Sequence, residues 1–468
     1  MVQQTQYFSP ASTLRLLRYF TINFDFGSVG NTPDGSSGFS SHRKSSPPLS
    51  NTAWEILEFF PRLGRDMVYK VAFIFGTRPE LIKIAPVAVQ LDQIEDFCPT
   101  LISTGQHTDL VQGLYEIFDL PEVVHLDQSS SIKSLPISFG SIYNSVANYL
   151  DGHSYDLVIV QGDTSTALAG AQAAFFHRIP LVHLEAGLRS RKLNDPFPEE
   201  ANRRLISKVA SLHLAPSLRA KQNLLVENVD DEEISITGNT GIDALHQILK
   251  SDSVSNSRVD TFLFEEGVDH YLLVTVHRRE NWSRVSEICS ALRQITEQFS
   301  SWGIVVSMHA NPVLKEQLRE SLAGKERILL LDPVPYPDFI KLMSAARIVL
   351  SDSGGVQEEA PALGVPLICM RENTEREEVV ESGNARLVGS SAESIVQEFS
   401  SIVGDPDLYA RMATKFSPYG SGEATAAVID SLRTFLSGRN AHLVHDRDES
   451  EGATGGLVGG VSRGSEHE

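Results

Sequence analysis

The stretch from residue 157 to residue 204 constrains the fold of this chain more than any other part of it. An apolar run over residues 157–160 is followed by an alanine-rich segment over 164–177 and by a second apolar run over 179–183. Two short apolar runs around a helical segment are typical of a β-α-β unit. Strands joined in this way are parallel and usually adjacent, so the pattern predicts a parallel sheet covered by helices.

Acidic residues follow both predicted strands of this unit. Asp163 comes after the first strand and Glu185 after the second. The carboxyl ends of adjacent parallel strands lie at one edge of the sheet, where open α/β sheets bind their ligands. A single Asp after a strand is more often a helix cap than a catalyst, so Asp163 alone would be weak evidence for a functional site.

A third acid lies at the start of the next predicted helix. Pro198, Glu199 and Glu200 suit a first helical turn, because proline needs no N–H partner there and acids complement the helix dipole. The same region contains arginines that can hold such acids ionised: Arg189, Arg203 and Arg204. Partnership with the dipole is the plain interpretation of Glu199, but the convergence of three acids favours an acid–base site.

Length and composition exclude several classes of function. The chain of 468 residues is long enough for two or three domains, and no apolar run is long enough to span a membrane. A formal net charge of −20 disfavours a general binder of nucleic acid or anionic membranes. The cysteines Cys98, Cys289 and Cys369 form no C-x-x-C pair, which indicates neither a disulfide framework nor a zinc site and fits a reducing cytoplasm.

Alternation of predicted strands and helices occurs twice along the chain. It fills residues 67–240 and restarts in residues 241–422, so we predict an α/β protein with two Rossmann-like doubly wound domains facing across a cleft. A helix over 423–437 is predicted to pack back on the first domain. Residues 1–66 and 438–468 lack periodicity and are predicted to be a disordered extension and a disordered tail.

In the first domain, one segment is suited to a phosphate group. A predicted strand runs into Gly76, Arg78 precedes a helix that is predicted over residues 81–91, and Lys83 lies one turn into that helix. Backbone N–H groups and the positive end of the dipole meet at such a junction, and the two basic side chains add charge. A plain β-α junction with exposed basic residues explains the same pattern equally well.

The second domain contains a comparable segment. Ser353 precedes Gly354 and Gly355, so a diphosphate can approach the first amides of a helix without a Cβ in the way. Glu359, about one turn further on, is placed to accept the hydroxyls of a ribose. A Gly-Gly pair alone is weak evidence, but the capping serine and the following acid make this segment a candidate nucleotide site.

These segments together resemble the non-hydrolysing UDP-N-acetylglucosamine 2-epimerases. The matching stretches occur in the family's order across residues 68–437: FGTRPELIKIAP, QGDTSTALA, HLEAGLRS, PFPEEANRR, TGNTGIDAL, VHRREN, HANP and SDSGGVQEEAPALGVP. The resemblance implies a glycosyltransferase-B architecture in which the second domain holds most of the UDP. It also implies a cytoplasmic homodimer that interconverts UDP-N-acetylglucosamine and UDP-N-acetylmannosamine and supplies the latter sugar for polysaccharide or glycan synthesis.

The resemblance also assigns roles to individual residues. Asp163, Glu185 and Glu199 match the family's catalytic carboxylates, and His277 matches its catalytic histidine beside the diphosphate. The remaining matches are contacts to the nucleotide or its phosphates: Arg78, Lys83, His309, Ser353, Gly354, Gly355 and Glu359. No cofactor and no metal are implied, and the sequence contains neither a metal-ligand cluster nor a dinucleotide fingerprint.

Elementary chemistry explains why inversion at carbon 2 of this sugar needs such a site. The hydrogen on carbon 2 is not next to a carbonyl, so simple deprotonation would leave an unstabilised carbanion. The family route is therefore elimination of UDP to 2-acetamidoglucal and re-addition with the proton delivered to the other face. One carboxylate would act as base and another as acid, and the sequence does not decide which acts on which face.

Other activities remain open on the sequence alone. A glycosyltransferase of the same architecture would bind a UDP-sugar similarly but would need a surface for an acceptor. A 2-epimerase of a modified UDP-sugar, such as a 2,3-diacetamido uronic acid, would use the same carboxylates. Where bacterial family members often have a basic residue and a glutamine of a second, regulatory UDP-sugar site, this chain has Thr108 and Asp109, which leaves regulation by substrate open.

Overall fold

The computed structural model describes the following residues: 68–105, 114–115, 117–126, 134–250 and 257–454. The predicted disorder of residues 1–66 therefore lies outside the described residues, and so do Thr108 and Asp109. The domain boundaries remain predictions.

The first half of the described chain forms a seven-stranded parallel sheet. Its strands are β1 (Tyr69–Phe75), β2 (Phe97–Ser103), β3 (Val123–His125), β4 (Leu157–Gln161), β5 (Leu181–Leu184), β6 (Leu212–Ala215) and β7 (Ile234–Ile236). Their order is β3-β2-β1-β4-β5-β6-β7, so the order reverses between β1 and β4. Since β4 pairs in parallel with β5, the predicted β-α-β unit is confirmed.

Helices cover both faces of this sheet. They are α1 (Arg78–Asp92), α2 (Leu135–Asp151), α3 (Ser165–Phe176), α4 (Glu199–Ser207), α5 (Leu218–Val226) and α6 (Thr240–Lys250). Alternating residues of β1 enter opposite halves of the core, because side chains of a strand point to opposite faces. Phe73 packs in the cluster that contains Leu81 of α1, whereas Ile74 packs with Ala167 of α3.

The second half forms a six-stranded parallel sheet. Its strands are β8 (His270–Thr275), β9 (Trp302–Ser307), β10 (Ile328–Leu331), β11 (Ile348–Ser351), β12 (Leu367–Cys369) and β13 (Ala385–Leu387). The order β10-β9-β8-β11-β12-β13 reverses between β8 and β11, as the order of the first sheet does between β1 and β4. Two sheets of this kind confirm the predicted fold class of two Rossmann-like domains.

The remaining helices surround the second sheet or lead back to the first. They are α7 (Ser257–Glu266), α8 (Val285–Gln298), α9 (Pro312–Leu322), α10 (Tyr336–Ala345), α11 (Gly354–Leu363), α12 (Glu377–Glu381), α13 (Ala392–Gly404), α14 (Pro406–Met412) and α15 (Ala424–Thr454). Helix α15 extends beyond residue 437, where the sequence predicts a tail, and it packs against α1 and α6 of the first half. None of the helices that the structure describes is long and apolar enough to cross a lipid bilayer.

Candidate active site

The predicted site residues lie at the carboxyl edges of the two sheets. At the switch point of the first sheet, β1 leads into α1 and β4 leads to Asp163; at that of the second, β8 leads to His277 and β11 leads to Asp352. Ion pairs join the two edges: the Nζ atom of Lys83 lies 2.9 Å from the carboxylate of Glu358 in α11. The two sheets therefore contribute to one site, as ligand sites of open α/β sheets require.

Asp163 and Glu199 form one part of the site. The Nε and Nη2 atoms of Arg203 lie 2.8 and 2.7 Å from Oδ2 of Asp163, and the side chain of Asn202 donates to the main-chain oxygen of Asp163 at 2.8 Å. Glu199 is half-buried at the start of α4, and burial followed by the charge of Asp163 raises its pKa. Two neighbouring carboxyl groups in different environments suit an acid–base pair.

The other two arginines of this segment have other partners. Arg204 donates to Oε1 of the buried Glu200 at 2.9 Å, and Arg189 donates to Glu227 at 2.7 Å. The amide of Ser190 also donates to Glu200, at 3.0 Å. Glu200 therefore anchors the loop before α4, and of the two adjacent glutamates it is Glu199 that remains available for chemistry.

Glu185 forms the second part of the site. Its Oε2 atom accepts hydrogen bonds from Nζ of Lys83 and, at 2.9 Å, from the side chain of Gln161. Its Oε1 atom lies 3.7 Å from Nη2 of Arg376 in the second domain. Burial raises the pKa of Glu185, although Lys83 opposes the shift. With a φ of +65°, Glu185 has a left-handed conformation that is rare for a residue with a side chain and is frequent at functional sites.

A buried carboxylate connects these two parts. Glu375 follows β12 and pairs with Arg376, with Arg371 at 2.9 Å, with Arg278 at 3.7 Å and, from the first domain, with Arg203 at 3.8 Å. Burial opposes its ionisation, but the arginines outweigh burial and hold the pKa of Glu375 well below its usual range. All three predicted carboxylates therefore belong to one network of charges.

The loop after β8 orients His277. The amides of His277 and Arg278 donate to the carboxylate of Asp352 at 2.7 and 3.1 Å, and the side chain of Asn281 donates to it at 2.8 Å. Asp352 is fully buried, so it fixes the loop rather than reacting. The ring of His277 is exposed and lies 5.0 Å from that of His309, centroid to centroid, in an edge-to-face arrangement. The two histidines named by the sequence therefore lie together.

The predicted nucleotide segment forms the start of α11. Ser353 occupies the N-cap position, but its hydroxyl makes no capping hydrogen bond. A Cβ atom on Gly354 would lie 3.0 Å from Nη1 of Arg376, so a larger residue at this position would require the arginine to shift. Further along the helix, Glu359 accepts a hydrogen bond from the hydroxyl of Tyr336 at 2.7 Å, and burial raises its pKa to about 7.

Arg78 approaches this segment from the first domain. Burial lowers the pKa of the Arg78 guanidinium, although the negative charges that Tyr336 and Glu359 can carry oppose the shift. Arg78 therefore lies within electrostatic reach of the expected ribose site. Lys83 pairs with Glu185 and Glu358, and its contact with a phosphate remains a prediction.

The amides at the start of α1 have a partner within the chain. The N–H groups of Gly76 and Thr77 donate to Oε2 of Glu80 at 3.1 and 2.8 Å, and the hydroxyl of Thr164, the N-cap of α3, donates to Oε1 at 2.6 Å. Glu80 therefore occupies the amides of Gly76 and Thr77, and a phosphate contact at this helix start remains a prediction that rests on Arg78 and Lys83. The Thr-x-x-Glu spacing of Thr77 and Glu80 is a capping-box signal that sequence reasoning missed.

The chain is similar to proteins of one family over most of its length. Residues 89–433 match the family model described as UDP-N-acetylglucosamine 2-epimerase. The UDP-N-acetylglucosamine 2-epimerase of Neisseria meningitidis serogroup A is 36% identical over 367 residues, which cover 78% of this chain and 99% of that protein. The enzyme of the same name from Escherichia coli K12 is 39% identical over 369 residues, which cover 78% of this chain and 98% of that protein.

Similarity to solved structures agrees with the sequence comparison. The crystal structure of UDP-GlcNAc 2-epimerase from Neisseria meningitidis bound to UDP-GlcNAc matches with a TM-score of 0.74 at 35% identity, covering 78% of this chain and 100% of that chain. The match spans both sheets, which supports the glycosyltransferase-B type of the predicted fold.

Proposed function

Because the chain belongs to the UDP-N-acetylglucosamine 2-epimerase family, a family of isomerases, we propose that it interconverts UDP-N-acetylglucosamine and UDP-N-acetylmannosamine without hydrolysis. One structural observation supports the proposed reaction independently of the family. The guanidinium of Arg376 lies 3.7 Å from Glu185 and would lie 3.0 Å from a Cβ atom on Gly354. The acid–base groups and the glycine helix start therefore adjoin, as abstraction at carbon 2 and departure of a diphosphate from carbon 1 require.

The proposed reaction is an elimination followed by an addition. A carboxylate removes the proton from carbon 2, the bond from carbon 1 to the diphosphate oxygen breaks, and a double bond forms between carbons 1 and 2. UDP leaves with the electron pair of the broken bond. Re-addition of UDP at carbon 1, with a proton delivered to the opposite face of carbon 2, gives the epimer. We propose Asp163, Glu185 and Glu199 as the groups that take up and return these protons.

The departing diphosphate needs positive charge and N–H donors. We propose that Arg78, His277 and the amides of Gly354 and Gly355 stabilise it, since an unblocked helix start combines N–H groups with the positive end of the dipole. Lys83, His309 and Ser353 would assist at the phosphates, and Glu359 would accept the ribose hydroxyls. The raised pKa of Glu359, about 7, weakens that contact at acid pH, where the carboxyl is protonated.

The family resemblance is the basis for proposing an oligomeric state, a location and a use of the product. We propose that the enzyme works as a homodimer in the cytoplasm and provides N-acetylmannosamine units for a polysaccharide or glycan. Light scattering of the purified protein in solution tests the homodimer. A monomeric mass at working concentration would exclude it.

The proposed reaction is tested by isotope exchange. The purified protein is incubated with UDP-N-acetylglucosamine in deuterated water, and the sugar protons are followed by NMR. We expect the manno isomer with deuterium at carbon 2 and traces of 2-acetamidoglucal and UDP. Asp163→Asn and Glu199→Gln are each expected to slow exchange at least about a hundredfold, the usual contribution of a general acid or base.

Other outcomes identify the alternatives. Binding of UDP-N-acetylglucosamine without exchange, glucal or UDP would exclude epimerisation of this sugar. Exchange with a 2,3-diacetamido uronic acid derivative of UDP, but not with UDP-N-acetylglucosamine, would identify the modified substrate. Release of UDP only when an acceptor alcohol is added would indicate a glycosyltransferase.

A further inference from the structure

The carboxylate of Glu358 connects the second domain to a catalytic group of the first. Glu358 lies in α11, and its side chain is only 2% exposed. Its Oε2 atom accepts hydrogen bonds from the side chain of Asn239 at 2.9 Å and from Nζ of Lys83 at 2.9 Å. Its Oε1 atom lies 2.6 Å from Nη2 of Arg376. Two of these three partners belong to the first domain, so the contacts form only where the domains meet.

Lys83 is shared between two carboxylates from opposite domains. Its ammonium group bonds to Glu185, which directly follows β5 of the first domain, and to Glu358 in α11 of the second. The negative charge of Glu358 repels ionised Glu185 and so offsets part of the stabilisation that Lys83 gives to it. Arg376 is likewise shared between the two carboxylates: its Nη2 atom lies 2.6 Å from Oε1 of Glu358 and 3.7 Å from Oε1 of Glu185.

Among the described residues, the charged groups that act most strongly on Glu185 come from three elements: Lys83 from α1, Glu358 from α11 and Arg376 from the loop after β12. Gln161 at the end of β4 is neutral, and Tyr419 remains neutral because burial raises its pKa well above the usual range. Without the charge of Glu358, Lys83 would pair with Glu185 alone, and Arg376 would be shared only between Glu185 and Glu375.

We propose that Glu358 is a positioning residue that sets the ionisation of Glu185 by competing for Lys83 and Arg376. Glu185 thereby becomes a stronger base when the second domain brings Glu358 against the first. The inference rests on the proposed function, in which Glu185 exchanges a proton with carbon 2. Glu358 itself is expected to contact neither the sugar nor the nucleotide.

The test compares pH profiles of Glu358→Gln and wild type. The substitution keeps the shape of the side chain and removes its charge, so Lys83 and Arg376 stabilise ionised Glu185 more strongly. One limb of the profile of kcat against pH should move to lower pH by about one unit, and kcat at neutral pH should fall about three- to tenfold. The KM for the UDP-sugar should change less than about twofold, because no substrate contact is lost.

A matched control separates this effect from a loss of contact between the domains. Glu378 of α12 also reaches the first domain, where its Oε1 atom accepts a hydrogen bond from the hydroxyl of Ser217 at 2.6 Å, and Glu185 is not among its partners. Glu378→Gln should leave both limbs of the profile where they are in the wild type. Glu358→Asp keeps the charge and should keep the limb within about 0.3 pH units of the wild type, even if kcat falls.

Each result decides between the proposals. An inactive wild type would refute the proposed function, whatever the variants do. An active wild type whose profile is unmoved in a folded, UDP-binding Glu358→Gln variant would refute the inference alone. If Glu358→Gln does not fold, a limb that shifts by more than about 0.3 pH units in Glu358→Asp or in Asn239→Ser, both of which keep the charge of Glu358, would also refute it.

Discussion

At position 354 an added methyl group would contact the guanidinium of Arg376 beside the start of α11. A Cβ atom there would approach Nη1 and Cζ of Arg376 to 3.0 and 3.2 Å. Arg376 has little freedom to move away, because Glu358 and Glu375 hold it from two sides. Gly354→Ala should therefore weaken UDP binding by about tenfold, which corresponds to about 1.4 kcal/mol. Titration calorimetry with UDP measures the effect.

A second glycine provides the control for this substitution. Gly404 ends α13, and a Cβ atom there would have no neighbour within 4 Å. Gly404→Ala should leave the Kd for UDP unchanged. An unchanged Kd in Gly354→Ala would contradict the assignment of this helix start to the diphosphate, since the added methyl group would displace Arg376 beside that helix start.

Some residues of the site were predicted from the sequence, and others were not. Asp163 and Glu185 were predicted because each follows a strand, and strand ends of a parallel sheet are recognisable from hydrophobic runs, whereas His277 was assigned by the family resemblance. Glu358 and Glu375 were missed because their partners lie far away along the chain. No local pattern encodes that the carboxylate of Glu358 meets Lys83, more than two hundred and fifty residues earlier.

Helix starts are the elements at which sequence reasoning was both most useful and least complete. The start of α4 after Pro198 and the start of α11 after Ser353 were predicted from local residue types. The start of α1 was predicted at residue 81 but occurs at Arg78, because Thr77 and Glu80 form a capping box. Strands β3 and β13 were not predicted, since three residues at a sheet edge give almost no periodicity.

The capping carboxylate of α1 should make the stability of the first domain depend on pH. Burial raises the pKa of Glu80 to about 7, whereas the pKa of a glutamate in the unfolded chain is about 4.3. Between these values the folded state binds a proton that the unfolded state releases, so stability is lost as the pH rises through 7. The free energy of unfolding of the wild type, relative to Glu80→Gln, should fall by about 3 kcal/mol from pH 4 to pH 8.

Urea denaturation followed by circular dichroism at several pH values measures this difference. Glu265→Gln provides the control, because the side chain of Glu265 is exposed on α7 and its replacement should leave the pH dependence of the wild type intact. A constant difference between wild type and Glu80→Gln from pH 4 to pH 8 would mean that Glu80 does not titrate in this range.

On the scale of the whole molecule, a second set of charges joins the domains at the surface. Arg219 of α5 donates to Glu377 at 2.5 Å and to Glu381 at 2.6 Å, both in α12 of the second domain. Exposed ion pairs contribute less than about 1 kcal/mol each and are screened by salt, unlike the buried pairs around Glu358. We therefore expect the surface pairs to change the fraction of molecules whose domains are in contact, and the buried pairs to change the chemistry at the site.

Arg219→Gln should accordingly raise the KM for the UDP-sugar about twofold at low salt with kcat nearly unchanged, because a smaller fraction of molecules has its domains in contact. Small-angle scattering should give a larger radius of gyration for the variant without ligand and equal values for both proteins with saturating UDP. In about 1 M salt the two proteins should behave alike.

Arg386→Gln, which removes a pair with Glu398 inside the second domain, is the control. An equal effect in that variant, or a difference that persists in high salt, would show that the surface pairs do not control contact between the domains.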